Sequence, residues 1–122
     1  MLILDTHILI DFVRDKLSPK ELRLIEKHQD ELAISDIVLW EIAKLKSKKR
    51  IEIDFESPKF KKVLRYLKAL PITVEIADLS VSLDFSSDPA DELIAATSMI
   101  HHASLLTRDE TILKSKLVSF AR

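Results

Sequence analysis

The chain has 122 residues, 47% hydrophobic and 32% charged, with a formal net charge of −1. That length and balance predict one folded domain over residues 1–122 with a single core. Cysteine is absent, which excludes disulfides, thiolate zinc sites and cysteine nucleophiles; glycine is absent too, which excludes Walker A loops, GxGxxG dinucleotide turns and the GxSxG elbow.

Short apolar runs alternate with helical patterns from end to end. Residues 2–4 form a strand-sized apolar run that stops at Asp5. Ile8, Leu9, Phe12 and Val13 then follow helical spacing. Ser18-Pro19-Lys20-Glu21 reads as a capping box with proline at the first helical position. Residues 32–34 form a second strand, and a helix over 37–45 follows with Ser35 or Asp36 as its N-cap. Ser57-Pro58 opens a helix whose Phe60, Val63, Leu64 and Leu67 make one apolar stripe. Residues 71–74 read as a third strand and 77–83 as a short helix. Asp88-Pro89 starts a longer helix to about Ile100, residues 104–106 a fourth strand, and 117–119 a fifth. This alternation predicts an α/β fold, with a mainly parallel sheet of about five strands and helices on both faces. Ligands of such sheets bind beyond the carboxyl ends of the strands, where the strand order reverses.

Charge is distributed unevenly. Residues 44–68 hold ten basic side chains against three acids, whereas residues 69–107 contain six acids and no Lys or Arg. Two solvated faces account for such a pattern, and so does a polyanion held beside a cation site. The longest stretch without Asp, Glu, Lys or Arg, residues 93–107, is too short and polar to span a bilayer, and the N-terminus lacks a basic leader. A cytoplasmic protein with no membrane attachment is expected.

Four acids stand where chemistry is expected. Asp5 ends the first strand and Asp109 lies just past the fourth. Asp91 is in the first turn of the Asp88-Pro89 helix, and Glu41 lies beside an apolar stripe, too deep in its helix to cap it. Asp5 and Asp109 also suit helix caps, Asp91 suits a helix dipole, and Lys44 is placed to pair with Glu41. Taken together, carboxylates gathered at one sheet edge repel one another, and a hard divalent cation relieves that repulsion. Magnesium or manganese would then activate a water for attack on a phosphate, with the basic strip holding flanking phosphates.

The segments Leu2-Ile3-Leu4-Asp5-Thr6-His7, Ile34-Ser35 through Trp40-Glu41-Ile42-Ala43, Asp88-Pro89-Ala90-Asp91-Glu92-Leu93-Ile94-Ala95-Ala96 and Leu105-Leu106-Thr107-Arg108-Asp109 occur in that order. With this order and spacing, the chain resembles the PIN-domain ribonucleases, specifically the toxins of VapBC-type toxin–antitoxin pairs. The resemblance implies a five-stranded parallel sheet and a Mg2+- or Mn2+-dependent endoribonuclease. Carried over by position, it makes Asp5, Glu41, Asp91 and Asp109 the catalytic, metal-binding acids and Ser35 and Thr107 supporting hydroxyls. It also implies an RNA substrate, a homodimer and inhibition by a small antitoxin whose tail occupies the groove. Two departures stand out: Glu92 replaces the arginine that many relatives carry after the third acid, and Lys48-Lys49-Arg50 replaces a common glycine. His7 and the His101-His102 pair are expected to play structural roles, and Trp40 to serve as core or dimer contact, with base stacking the less favoured alternative. The competing classes are a phosphoryl-transfer protein, either receiver or phosphatase, and a non-catalytic module of PIN fold. His7 stands where such a phosphatase needs its second acid.

Overall fold

The computed structural model describes every residue from Met1 to Arg122. Four strands form one sheet: β1 (Leu2–Leu4), β2 (Leu32–Ser35), β3 (Lys68–Leu70) and β4 (Ser104–Leu106). Their order is β3-β2-β1-β4, and every pairing is parallel. Seven helices surround them: α1 (Thr6–Val13), α2 (Pro19–Lys27), α3 (Ile37–Ser47), α4 (Pro58–Arg65), α5 (Val74–Ser80), α6 (Pro89–Ile100) and α7 (Glu110–Leu113). The two central strands are wholly buried, and with Ile8, Leu9, Ile42, Ile94 and Leu105 they form one core cluster. Parallel strands buried on both faces read as continuous apolar runs, as Leu2-Ile3-Leu4 does.

Local chemistry sets the helix starts. Ser18 accepts from the Glu21 amide while Glu21 accepts from the Ser18 amide, closing the expected capping box. Ser57 caps α4 through the Phe60 amide, and Pro58 occupies the first turn. The end of α3 answers the missing glycine. Lys49 takes the left-handed conformation at φ 56°, and the Arg50 amide bonds back to the Leu45 carbonyl. Asp15 (φ 56°) and His102 (φ 51°) do the same after α1 and α6. Each of these positions favours glycine, and a side chain there costs about 1 kcal/mol.

Three expected elements differ. The third strand lies at Lys68–Leu70 rather than 71–74. Pro71 has no N–H to extend a ladder, and Thr73 caps α5 through the Ile76 amide, so Val74 is drawn into a helix. That helix consequently spans Val74–Ser80, ahead of the expected 77–83. The sheet has four strands, not five. Residues 117–119 are held instead by Ser115 and Asp84: the Lys116 amide donates to Asp84, and those of Leu117 and Val118 to the Ser115 hydroxyl. Only an isolated parallel bridge from Leu105 to Phe120 remains where a fifth strand was expected.

Candidate active site

The strand order reverses at β1, whose neighbours are β2 on one side and β4 on the other. Both β1 and β4 end at the same edge. The Asp5 amide continues their ladder by donating to the Leu106 carbonyl at 3.0 Å. An acid that follows β1 and a hydroxyl that follows β4 are therefore forced together, and Thr107 Oγ1 donates to Asp5 Oδ2 at 2.5 Å. The same hydroxyl accepts from the Asp109 amide at 3.0 Å, so one buried threonine positions both acids. Asp5 Oδ1 accepts from the Thr6 amide at the start of α1, and Asp109 Oδ1 from the Ile112 amide of α7. The capping role open to these acids in the sequence is thus real, and it coexists with their place in the cleft.

A cleft of about 330 Å³ opens at this edge, lined by Asp5, His7, Glu41, Asp88, Asp91, Arg108 and Asp109. Glu41 comes from the middle of α3 and accepts a hydrogen bond from the Thr6 hydroxyl. Lys44, which the spacing also offered as a partner, lies instead 5.4 Å from the centre of the Trp40 ring. Asp91 comes from the first turn of α6, and the Ser87 hydroxyl donates to its Oδ2 at 2.7 Å. Asp88 is the N-cap of α6 by position but makes no side-chain cap bond. Glu41, Asp88 and Asp91 each present a carboxylate oxygen within 4.8 Å of the others. The cleft therefore collects all four expected acids and adds a fifth, Asp88.

The two expected supporting hydroxyls part company. Thr107 bonds an acid of the cleft, whereas Ser35, fully buried at the end of β2, accepts from the amide of Ile37, the first residue of α3, at 3.3 Å; Asp36 is the N-cap by position and makes no side-chain cap bond. Thr6 and Ser87 hold Glu41 and Asp91, and neither was singled out in the sequence. Thr6 was legible as a hydroxyl directly after an acid. Ser87 and Asp88 were obscured because Ser-Asp-Pro reads equally well as an ordinary helix start.

The electrostatics are those of crowded anions. Burial raises the Asp5 carboxyl above its ordinary range, opposed by its bonds from Thr107 and Thr6. Burial likewise raises Glu41, opposed by Thr6 and reinforced by the charges of Asp5 and Asp88. Asp91 is pushed up to about 7, first by burial, then by the facing Asp88 and by Asp5 against the Ser87 bond. The N-termini of α1 and α6 point positive dipole ends at the cluster and offset part of this cost. No lysine lines the cleft, and its one arginine is engaged elsewhere. Arg108 clamps Glu21 through two bonds of 2.6 and 2.8 Å and reaches Asp11 at 2.6 Å. That pairing holds the Glu21 carboxyl down at about 2.

The acids of the cleft offer oxygen donors, partly desolvated and short of positive charge. They suit a hard divalent cation that keeps waters for exchange with a phosphate oxygen. Comparison with known proteins agrees with this geometry. Residues 2–116 match the PIN domain. Ribonuclease VapC22 of Mycobacterium tuberculosis is 31% identical over 115 residues, covering 90% of this chain and 88% of the relative. A toxin–antitoxin complex from Klebsiella pneumoniae contains a chain of TM-score 0.73 and 24% identity, covering 97% of this chain and 95% of that one. VapBC2 from Rickettsia felis, bound to a DNA fragment from its promoter, gives TM-score 0.74 at 18% identity, covering 98% and 96%. Topology, acid order and these likenesses coincide: the chain belongs to the PIN-domain family, among the VapC-type ribonuclease toxins.

Proposed function

We propose that Asp5, Glu41, Asp91 and Asp109 hold Mg2+ or Mn2+ and that the chain hydrolyses RNA phosphodiester bonds at this cleft. The observation that carries the reading is the convergence of these acids at one strand edge, with burial raising three of them. A bound divalent cation would supply an activated water and neutralise charge at the scissile phosphate.

The chain's own groups do the positioning. Thr107 aims Asp5 and fixes the Asp109 backbone, Thr6 fixes Glu41, and Ser87 fixes Asp91. Such bonds pre-orient ligands that mutual repulsion would otherwise splay. Asp88 adds a carboxylate on the side of Glu41 and Asp91 and is a further candidate ligand. Ser35 acts here through its bond from the Ile37 amide, which ties the first residue of α3, the helix that carries Glu41, to the end of β2. Arg108 contributes no free charge to the phosphate while it remains clamped to Glu21 and Asp11.

The same reading assigns a small antitoxin as inhibitor, a homodimer as the working form and the cytoplasm as the place of action. The exposed Ile72, Val74 and Val81, just before and along α5 and at its end, give an apolar surface suited to a second copy. No helix is long and apolar enough to cross a membrane. The test is cleavage of total cellular RNA by antitoxin-free protein in Mg2+, Mn2+ or EDTA, beside Asp5→Asn. Discrete products that need metal and vanish in the variant are expected. Intact RNA in Mn2+ would overturn the reading.

A further inference from the structure

A second cleft of about 260 Å³ adjoins the acidic one and shares Glu41 and Asp88 with it. Its other walls include Trp40, Lys44, Lys48 and Arg50. Trp40 is 53% exposed, although an indole has more to gain from burial than most side chains. It precedes Glu41 on α3, so the ring and the carboxylate leave adjacent positions of one helix. The Lys44 ammonium lies 5.4 Å from the ring centroid. Arg50 also lines a third cleft, with Arg14, Lys16 and Lys49. The surface therefore runs from acids, through an aromatic ring among cations, to a basic trough.

We propose that this second cleft is a nucleotide subsite: an unpaired base of the RNA stacks on Trp40 while Lys44, Lys48 and Arg50 hold the adjoining phosphates. The proposal rests on the ribonuclease reading above and adds the path of the strand and its single-stranded character. Stacking needs an open base face, which a duplex does not offer. The occupant follows from charge: a partner protein seated on the indole would have to desolvate three exposed cations, whereas a polyanion gains from them by releasing counterions. The track also compensates the acidic cleft, where the only arginine is already paired. Trp40 is thus a positioning and specificity residue, beside the reacting atoms rather than on them.

Trp40 is the sole tryptophan, so indole emission reports this position alone. The experiment titrates full-length, antitoxin-free protein in EDTA with a short mixed-sequence single-stranded RNA, the same sequence as duplex, and pyrophosphate. Saturable quenching by the single strand, with little from duplex or pyrophosphate, is expected. In anisotropy with labelled RNA, Trp40→Ala should weaken binding on the order of tenfold and Trp40→Phe should restore most of it. Arg50→Glu should also weaken binding and flatten its salt dependence by about one ion or more. Under cleavage conditions Trp40→Ala should raise KM with little change in kcat.

Emission unchanged at saturating RNA, or wild-type affinity in Trp40→Ala, would overturn the subsite. So would emission that shifts on protein dilution and not with RNA, which would make Trp40 a contact between copies. Binding is read without metal, so failure to cleave would leave a positive result standing. Undiminished cleavage with unchanged KM in Trp40→Ala would remove the subsite and leave the nuclease intact.

Discussion

Replacing Asp91 by Asn should stabilise the metal-free protein while destroying its metal-dependent activity. The Asp91 carboxyl sits at about 7 in the folded chain against an ordinary 3.8. A raised pKa means that the folded state prefers the protonated form. Stability from this group is full below about 4 and is lost as pH rises toward 7 and beyond. Unscreened, that shift corresponds to about 4 kcal/mol, but the side chain is only half-buried and its partner Asp88 is exposed. Solvent screening reduces the expected penalty to about 1–2 kcal/mol at neutral pH. Asn keeps the shape and an oxygen for the Ser87 hydroxyl, and it removes the charge. The lost helix-start carboxylate costs roughly 0.3–1 kcal/mol and leaves a net gain. Thermal melts in EDTA at about pH 7.5 should show Asp91→Asn melting a few degrees higher, with the gap closing near pH 4. Added Mn2+ should reverse the order by raising the wild-type melting temperature. A variant less stable than wild type in EDTA at neutral pH, or a gap independent of pH, would refute the account of crowded anions.

Thr107→Val removes the hydroxyl that serves Asp5 and Asp109 together. It should cost about 1–3 kcal/mol in a denaturant melt and weaken Mn2+ binding at least tenfold by calorimetry, whereas Thr107→Ser should retain most of both. Glu21, held at about 2 by Arg108, contributes stability above its ordinary 4.5 that is lost as pH falls from there toward 2. Because Arg108 is 41% exposed, Glu21→Gln should cost only about 1 kcal/mol at neutral pH and should narrow the acid loss of stability followed by circular dichroism. His102→Gly relieves a left-handed residue after α6 and should raise the melting temperature by a degree or two, because the added chain entropy offsets about half of the roughly 1 kcal/mol relieved.

How much of this was legible depended on how local the signal was. Asp5 was readable because a strand ends there, and its place beside Thr107 at the sheet edge follows from the parallel pairing of β1 with β4. Glu41 was readable because a mid-helix carboxylate beside an apolar stripe needs a partner; that the partner is Thr6 depends on how α1 packs against α3, which spacing along one helix does not reveal. Asp88 was hidden by its own plausibility as a cap. Residues 117–119 looked like a strand because apolar composition does not show where amides bond. Here the Ser115 hydroxyl takes those of Leu117 and Val118, and Asp84 takes that of Lys116 just before them. The third strand was misplaced by a few residues because Pro71 and Thr73 act on backbone bonding, which hydrophobic pattern does not weigh. Lys48-Lys49-Arg50 stands where a glycine is common, and Lys49 closes α3 by accepting a left-handed conformation.

The central claim is that the acids at the β1 and β4 edge hold the cation on which RNA cleavage depends. The most direct test titrates Mn2+ into antitoxin-free protein and into Asp5→Asn by calorimetry, and follows RNA cleavage across the same Mn2+ concentrations. Cleavage should rise along the wild-type binding isotherm, and both binding and cleavage should collapse in Asp5→Asn. Cleavage that persists in EDTA, or Mn2+ binding undiminished in Asp5→Asn, would contradict the claim.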